Sequence, residues 1–102
     1  MTLDAFQGAV RRTMNTSLGP DQQLLDAVAG LAEESGEALG AVRKHLFQAR
    51  ALDRDALIEE LGDALWCVAA AAAAAGVTLD EVARRNVEKL RLRYPDGFSP
   101  RM

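Results

Sequence analysis

The sequence predicts an all-α protein, a bundle of four helices in one domain. Three observations predict it. Aromatic residues make up only 5% of the 102 residues, leucine, valine and above all alanine supply the apolar content, and apolar positions recur at steps of three or four. Alanine and leucine favour helix over strand. A chain of this length fits one domain, which we expect to span residues 1–102.

The first two helices are predicted from apolar spacing. A helix over about Leu3–Met14 is expected because apolar residues recur there every fourth position. A second helix, about Pro20–Arg50, begins at a proline, which suits the first turn of a helix. Its apolar or small positions follow at steps of three or four. They are Leu24, Val28, Leu31, Ser35, Leu39, Val42 and Leu46.

The last two helices are predicted from capping residues. Asp53 suits the N-cap of a third helix that continues through Ala69–Ala75 and stops at Gly76, a residue suited to a left-handed C-cap. We expect the seven alanines to be buried on most sides, because alanine allows helices to pack closely. Thr78 followed three residues later by a glutamate matches a capping box and predicts a fourth helix ending at Tyr94, before a proline.

Composition and charge exclude several classes of protein. The net charge of -3 argues against binding to a nucleic-acid polymer, which requires a basic surface. The single cysteine, Cys67, excludes an intrachain disulfide and a cysteine-rich metal site, and we expect it to be a small buried apolar residue. The N-terminus lacks the pattern of a signal peptide, and the longest uncharged run, Ala64–Leu79, is short for a membrane span. These features predict a cytoplasmic protein without a membrane segment.

Two pairs of acidic residues interrupt the apolar pattern of the second and third helices. Glu34 and Glu37 lie three residues apart and project from nearly one face, and Glu60 and Asp63 repeat that spacing. The residues between the pairs suffice for the rest of one helix, a turn and the start of the next. If the two helices are antiparallel neighbours, four carboxylates converge at one level of the bundle.

Four converging carboxylates require a cation, because unpaired buried acids repel one another at a high cost in free energy. Mg²⁺ prefers oxygen ligands and is often shared between carboxylates and substrate phosphates. The competing interpretation is a solvated helix face with local salt bridges, for example to Arg43 or Lys44. That interpretation is favoured for a single pair, but a second pair leading into an apolar run favours the metal site.

Basic residues supply the complementary charge. Asn86, Lys89 and Arg93 share one face of the fourth helix, beside an apolar face. Lys44 follows Glu34 on the second helix at about 15 Å along the axis, a distance that suits the far end of a polyphosphate. Each of these cations is also explained as an ordinary solvated surface charge, and for Lys44 we favour that explanation.

Three segments together resemble the MazG-type, all-α nucleoside triphosphate pyrophosphohydrolases, over about Leu24–Ser99. They are "GLAEESGEALGAVRK", "EELGDALWCV" and "TLDEVARRNVEKLRLRYPDGFS". The family motif, E-x-x-E followed by E-x-x-D, falls on Glu34, Glu37, Glu60 and Asp63. The resemblance implies an enzyme that uses Mg²⁺, with Mn²⁺ as a substitute, to hydrolyse a nucleoside triphosphate to the monophosphate and pyrophosphate.

The resemblance also implies roles for individual residues. The four motif carboxylates would hold the metal, and Asn86, Lys89 and Arg93 would hold the phosphates or the sugar. Glu33 is a candidate for orienting the attacking water, although a plain solvated helix acid is the more common explanation. Members of the family are homo-oligomers, which implies a homodimer or a dimer of dimers here.

Several interpretations remain open on the sequence alone. A phosphoribosyl-ATP pyrophosphohydrolase shares the fold and the metal chemistry, although not the "RYPDGF" ending. A catalytically silent helical module that binds a nucleotide or a protein partner is the alternative from another class. Trp66 is explained either by stacking on a base or, more commonly, by packing in the core or at a subunit interface. His45 is explained by titration near phosphates or, more commonly, as a surface or packing histidine.

Overall fold

The computed structural model of the chain describes residues 1–100, in which four α-helices and no β-strand are present. The helices are α1 (Leu3–Arg11), α2 (Pro20–Phe47), α3 (Arg54–Ala74) and α4 (Leu79–Arg93). The all-α prediction is confirmed, and each predicted helix is present. Two of them end earlier than predicted, since α1 does not reach Met14 and α2 does not reach Arg50.

Local interactions explain the two early ends. After α1, the amide N–H and the hydroxyl of Thr13 both donate to the carbonyl of Val10, at 2.9 and 2.8 Å, and close a tight turn. After α2, Ala49 has a φ of 52°, in the left-handed region. A right-handed helix cannot continue through that conformation.

The predicted caps of α3 and α4 are formed. The Asp53 carboxylate accepts a hydrogen bond from the Ala56 N–H at 3.0 Å, and the Thr78 hydroxyl accepts one from the Glu81 N–H at 3.0 Å. The Glu81 carboxylate accepts a hydrogen bond from Arg85 at 2.8 Å, one turn further along α4, and not from the Thr78 N–H. Only one half of the predicted capping box is therefore formed.

Gly76 ends α3 as predicted, with a φ of 78°. Its N–H donates to the Ala73 carbonyl at 3.0 Å, and the Val77 N–H donates to the Ala72 carbonyl at 2.9 Å. These two bonds form a Schellman motif, which satisfies the last carbonyls of a helix.

The core lies around α3, which contacts all three other helices. Within the described chain α2 contacts only α3, while α1 packs on both α3 and α4. The first alanines of the run are buried as predicted, with Ala69 fully enclosed, and Ala75 at its end is exposed. The buried cluster consists of Val10, Ala27, Ala69, Ala70 and Leu79.

The last helix turns away from the α2–α3 hairpin. The axis of α4 makes an angle of 103° with that of α3. The face of α4 predicted to be apolar core is partly open, since Val87 and Leu90 are each 45% exposed. Among the described residues no single helix is long and apolar enough to cross a membrane, and α3 and α4 meet the criteria of length and composition only as a bent pair.

Candidate active site

The two acidic pairs face each other across the α2–α3 hairpin. The antiparallel packing is close at Gly30, where an added Cβ would lie 3.0 Å from the Sγ of Cys67. One turn further along α2, Glu34 and Asp63 line the same opening as Cys67. A further turn on, Glu37 and Glu60 line a second groove. The predicted carboxylates therefore form two facing pairs along the hairpin.

Two of these carboxylates have a buried oxygen without a hydrogen-bond partner, Oε2 of Glu34 and Oε2 of Glu60. The pKa of Glu34 is raised above the usual 4.5 by burial and by the negative charges of Glu37 and Asp63. Native proteins rarely leave buried polar atoms without a partner. The site therefore carries negative charge and acceptor capacity that the chain itself does not satisfy.

The donor set fits a hard divalent cation, because four carboxylates offer only oxygen ligands and two of those oxygens lack other partners. The side chains do not form a finished coordination shell. Within residues 1–100, no group of three or more histidine, cysteine or acidic residues is close enough to hold a metal ion. The assignment of Glu34, Glu37, Glu60 and Asp63 as ligands stays a prediction.

The groove beside Glu37 and Glu60 has a volume of about 590 Å³ and contains both signs of charge. Lys44 lines it, and its role toward the far end of a polyphosphate stays a prediction. Arg50 and Asp53 line it as well. The prediction omitted Arg50 because it placed this residue in the last turn of the second helix, whereas α2 ends at Phe47.

The opening beside Glu34 and Asp63 has a different lining. It is completed by Thr13, Trp66 and Cys67. The indole N–H of Trp66 donates to the Thr13 hydroxyl at 2.8 Å, and the half-buried ring packs against the core. Trp66 is therefore a packing residue whose edge reaches the acidic site. The sequence analysis did not identify Thr13 as part of this site.

Other predicted residues lie apart from the acids. Asn86, Lys89 and Arg93 are exposed on α4, and the last two line a separate surface groove. That groove contains none of the four carboxylates, and α4 does not contact α2, so the chain alone does not bring these residues to Glu34 and Glu37. Glu33 is exposed and lies outside both openings, although its charge adds to the raised pKa of Glu34. Their roles stay predictions.

The sequence model of the MazG nucleotide pyrophosphohydrolase domain matches residues 22–98. The chain belongs to this family. The matched range of the MazG domain contains both acidic pairs, the groove and all of α4. The resemblance of the motif segments is thus confirmed at the level of the family.

One curated relative of this MazG domain is the "Gene 37 protein" of Mycobacterium phage L5, which is 39% identical over 72 residues. The alignment covers 67% of this chain and 63% of the phage protein. The name of that phage protein states no activity. No solved structure matches the chain significantly.

Proposed function

We propose that the protein is a Mg²⁺-dependent nucleoside triphosphate pyrophosphohydrolase. The observation that supports this most strongly is the facing of two acidic pairs with unsatisfied buried oxygens, beside a groove lined by Lys44. Such an arrangement accommodates metal ions together with phosphates, whereas carboxylates alone would repel a polyanion. Membership of the MazG family supports the same class of reaction.

The proposed reaction adds water across the α–β phosphoanhydride bond. One new P–O bond forms, the bridging bond breaks, and a monophosphate and pyrophosphate are released. Glu34, Glu37, Glu60 and Asp63 would hold the metal, and Mn²⁺ would substitute for Mg²⁺. When bound, the metal neutralises phosphate charge and makes water a better nucleophile at neutral pH.

The residues of the chain contribute positioning and electrostatics. Lys44 would attract the phosphates into the groove. Glu33 would orient water from the edge of the acidic row, and removing its charge should slow turnover without weakening metal binding. Asn86, Lys89 and Arg93 would bind phosphates or sugar, from α4.

An assembly of two or more chains is the proposed active form. Within the described residues α4 does not contact α2, so its polar face reaches an acidic groove most directly from a second copy. A homodimer, or a dimer of dimers, would also cover apolar side chains left open on the hairpin, such as Ile58 and Leu61. We expect this enzyme to act on free nucleotides in the cytoplasm.

The proposal is tested by the products formed from ordinary and modified NTPs and dNTPs with Mg²⁺, Mn²⁺ or EDTA. We expect equimolar monophosphate and pyrophosphate from at least one triphosphate, no turnover in EDTA, and a loss of more than about 100-fold in Glu37→Gln or Asp63→Asn. Release of orthophosphate, or turnover unaffected by EDTA, would refute it. Turnover of phosphoribosyl-ATP alone would identify that enzyme instead, and a folded protein without turnover would be a binding module.

A further inference from the structure

The connection between α2 and α3 carries a cation that the acidic motif does not include. Arg50 lines the same groove as Glu37, Glu60 and Lys44. Despite the nearby carboxylates, neither Arg50 nor Lys44 forms a salt bridge within residues 1–100, where the ion pairs are Arg84 with Asp80 and Arg85 with Glu81. Lys44 and Arg50 thus line the same groove as the acids, and their side-chain N–H groups remain without an acceptor within residues 1–100.

The backbone of this connection has a defined shape. The Nδ1–H of His45 donates to the Arg50 carbonyl at 2.7 Å, and because a carbonyl only accepts, the proton lies on that ring nitrogen. Ala49 adopts a left-handed conformation, with a φ of 52°, immediately before Arg50. Asp53 then caps α3. These three features hold the backbone of Arg50 between two helix ends, at the rim of the groove.

The two cations of the groove lie at one end of it, together with the Asp53 carboxylate that caps α3. Glu37 and Glu60 lie at the end of the groove toward Glu34 and Asp63, while Lys44 and Arg50 lie toward the connection between the helices. Pyrophosphate is a polyanion, which metal ions can bind at one end and cationic donors at the other. Arginine suits this need because its planar guanidinium donates two parallel hydrogen bonds to phosphate oxygens.

We propose that Arg50, together with Lys44, binds the pyrophosphate moiety of the substrate and makes the site selective for a triphosphate. This inference rests on the proposed function. It gives the bound chain of phosphates a direction, with the two phosphates that leave as pyrophosphate beside Arg50. The nucleoside then lies toward Glu34, Asp63 and the edge of Trp66.

The test is calorimetric binding of inorganic pyrophosphate in the presence of Mg²⁺, so that it does not depend on turnover. The variant is Arg50→Gln, which removes the charge from an exposed position between helices and leaves both helix caps in place. The matched control is Arg43→Gln, which removes the same charge from an exposed position on α2 outside the groove. Circular dichroism verifies that all three proteins are folded.

We expect Arg50→Gln to weaken pyrophosphate binding by at least about tenfold, with little change in Arg43→Gln. Product inhibition by pyrophosphate should weaken in parallel. Equal binding by wild type and Arg50→Gln, equal losses in both variants, or no binding by the wild type would each overturn the assignment. Failure of the proposed function is a separate result, because pyrophosphate binding that depends on Arg50 is measurable even in a protein that hydrolyses no triphosphate.

Discussion

At the scale of one residue, Glu34 shows that the acidic site disfavours the ionised form of its own carboxylates. Burial, followed by the carboxylates of Glu37 and Asp63, raises its pKa above the usual 4.5. The folded protein therefore binds a proton at Glu34 more readily than the unfolded chain does. The stabilisation linked to this proton is complete below the unfolded pKa, and it is lost as the pH rises through the folded pKa.

This linkage predicts how the metal-free protein responds to pH. In EDTA, the contribution of Glu34 to thermal stability should fall as the pH rises above the usual pKa of 4.5 and through the raised pKa of the folded protein. Glu34→Gln should remove that dependence and raise the Tm near neutral pH, because the uncharged amide does not repel Glu37 and Asp63. Thermal unfolding across this range is the measurement, with Glu59→Gln as the exposed control. An unchanged pH dependence in Glu34→Gln would show that the pKa of this carboxylate is not raised in the folded protein.

Two glycines of α2 test the close packing of the hairpin. A Cβ at Gly30 would lie 3.0 Å from the buried Cys67 Sγ, whereas a Cβ at Gly36 would have no neighbour within 4 Å. Gly36→Ala should therefore gain helix propensity, about 0.5–1 kcal/mol. Gly30→Ala should be less stable than Gly36→Ala by at least about 1 kcal/mol, because the tight contact forces strain. Urea unfolding measures both, and equal stabilities would contradict the tight crossing.

At the scale of the helices, one buried side chain sets the corner between α3 and α4. Gln7 of α1 is 3% exposed. Its amide nitrogen donates to the carbonyls of Ala69 and Val77 at 3.3 and 3.1 Å, and its oxygen accepts from the Leu79 N–H at 2.9 Å. One side chain thus satisfies three backbone groups around the Schellman turn and fixes α1 against both helices.

Removing this side chain should loosen the corner. Gln7→Ala leaves the Leu79 N–H and the Val77 carbonyl without a partner, while the Ala69 carbonyl keeps its bond within α3, and we expect a loss of about 2–4 kcal/mol in the free energy of unfolding. Gln48→Ala, at an exposed position, should change it by less than about 0.5 kcal/mol. Denaturant unfolding compares the two variants. A loss in Gln7→Ala no greater than that of the control would mean that water replaces the side chain.

The helices were predictable because their signals are local. Asp53, Gly76 and Thr78 act through neighbours a few residues away, so capping rules located three helix ends. The direction of α4 was not predictable, since it depends on contacts between Gln7 and residues 62 to 72 positions away. A polar residue beside the apolar face of α1 was the available signal.

The candidate site was likewise predictable where its signals are local and not elsewhere. The spacing of the acidic pairs predicted that four carboxylates would converge at one level of an antiparallel hairpin, because helical periodicity is regular. The structure brings the two helices together but divides the carboxylates between two openings, Glu34 with Asp63 and Glu37 with Glu60. Arg50 and Thr13 were missed because the sequence placed both inside helices, whereas each lies beyond a helix end in the structure. Their positions depend on a left-handed residue in one case and a tight turn in the other.

The whole molecule is more open than a typical chain of its length. Its radius of gyration is 16.4 Å, whereas about 13 Å is usual for 100 residues. Large apolar side chains on α3 remain exposed, with Ile58 at 61%, Leu61 at 55% and Leu65 at 44%. They share one face of the helix, as expected for a surface that a second chain covers.

This surface predicts association in solution. Light scattering should give a mass of at least twice the 11.0 kDa of the chain. Leu61→Lys should shift the protein toward the monomer, because a charge is costly at an apolar interface. Glu59→Lys, at a neighbouring exposed position, should leave the mass unchanged. A wild-type protein that is monomeric at high concentration would contradict the proposed assembly.

We propose that the acids of the α2–α3 hairpin hold a divalent metal. Calorimetric titration of Mn²⁺ into wild type, Glu60→Gln and Glu59→Gln tests this metal site most directly. The two variants lose the same charge at adjacent positions, and of these two residues only Glu60 has a buried oxygen without a hydrogen-bond partner. We predict that Glu59→Gln binds like the wild type and that Glu60→Gln binds at least about tenfold more weakly. Equal affinity in all three folded proteins would contradict the metal site.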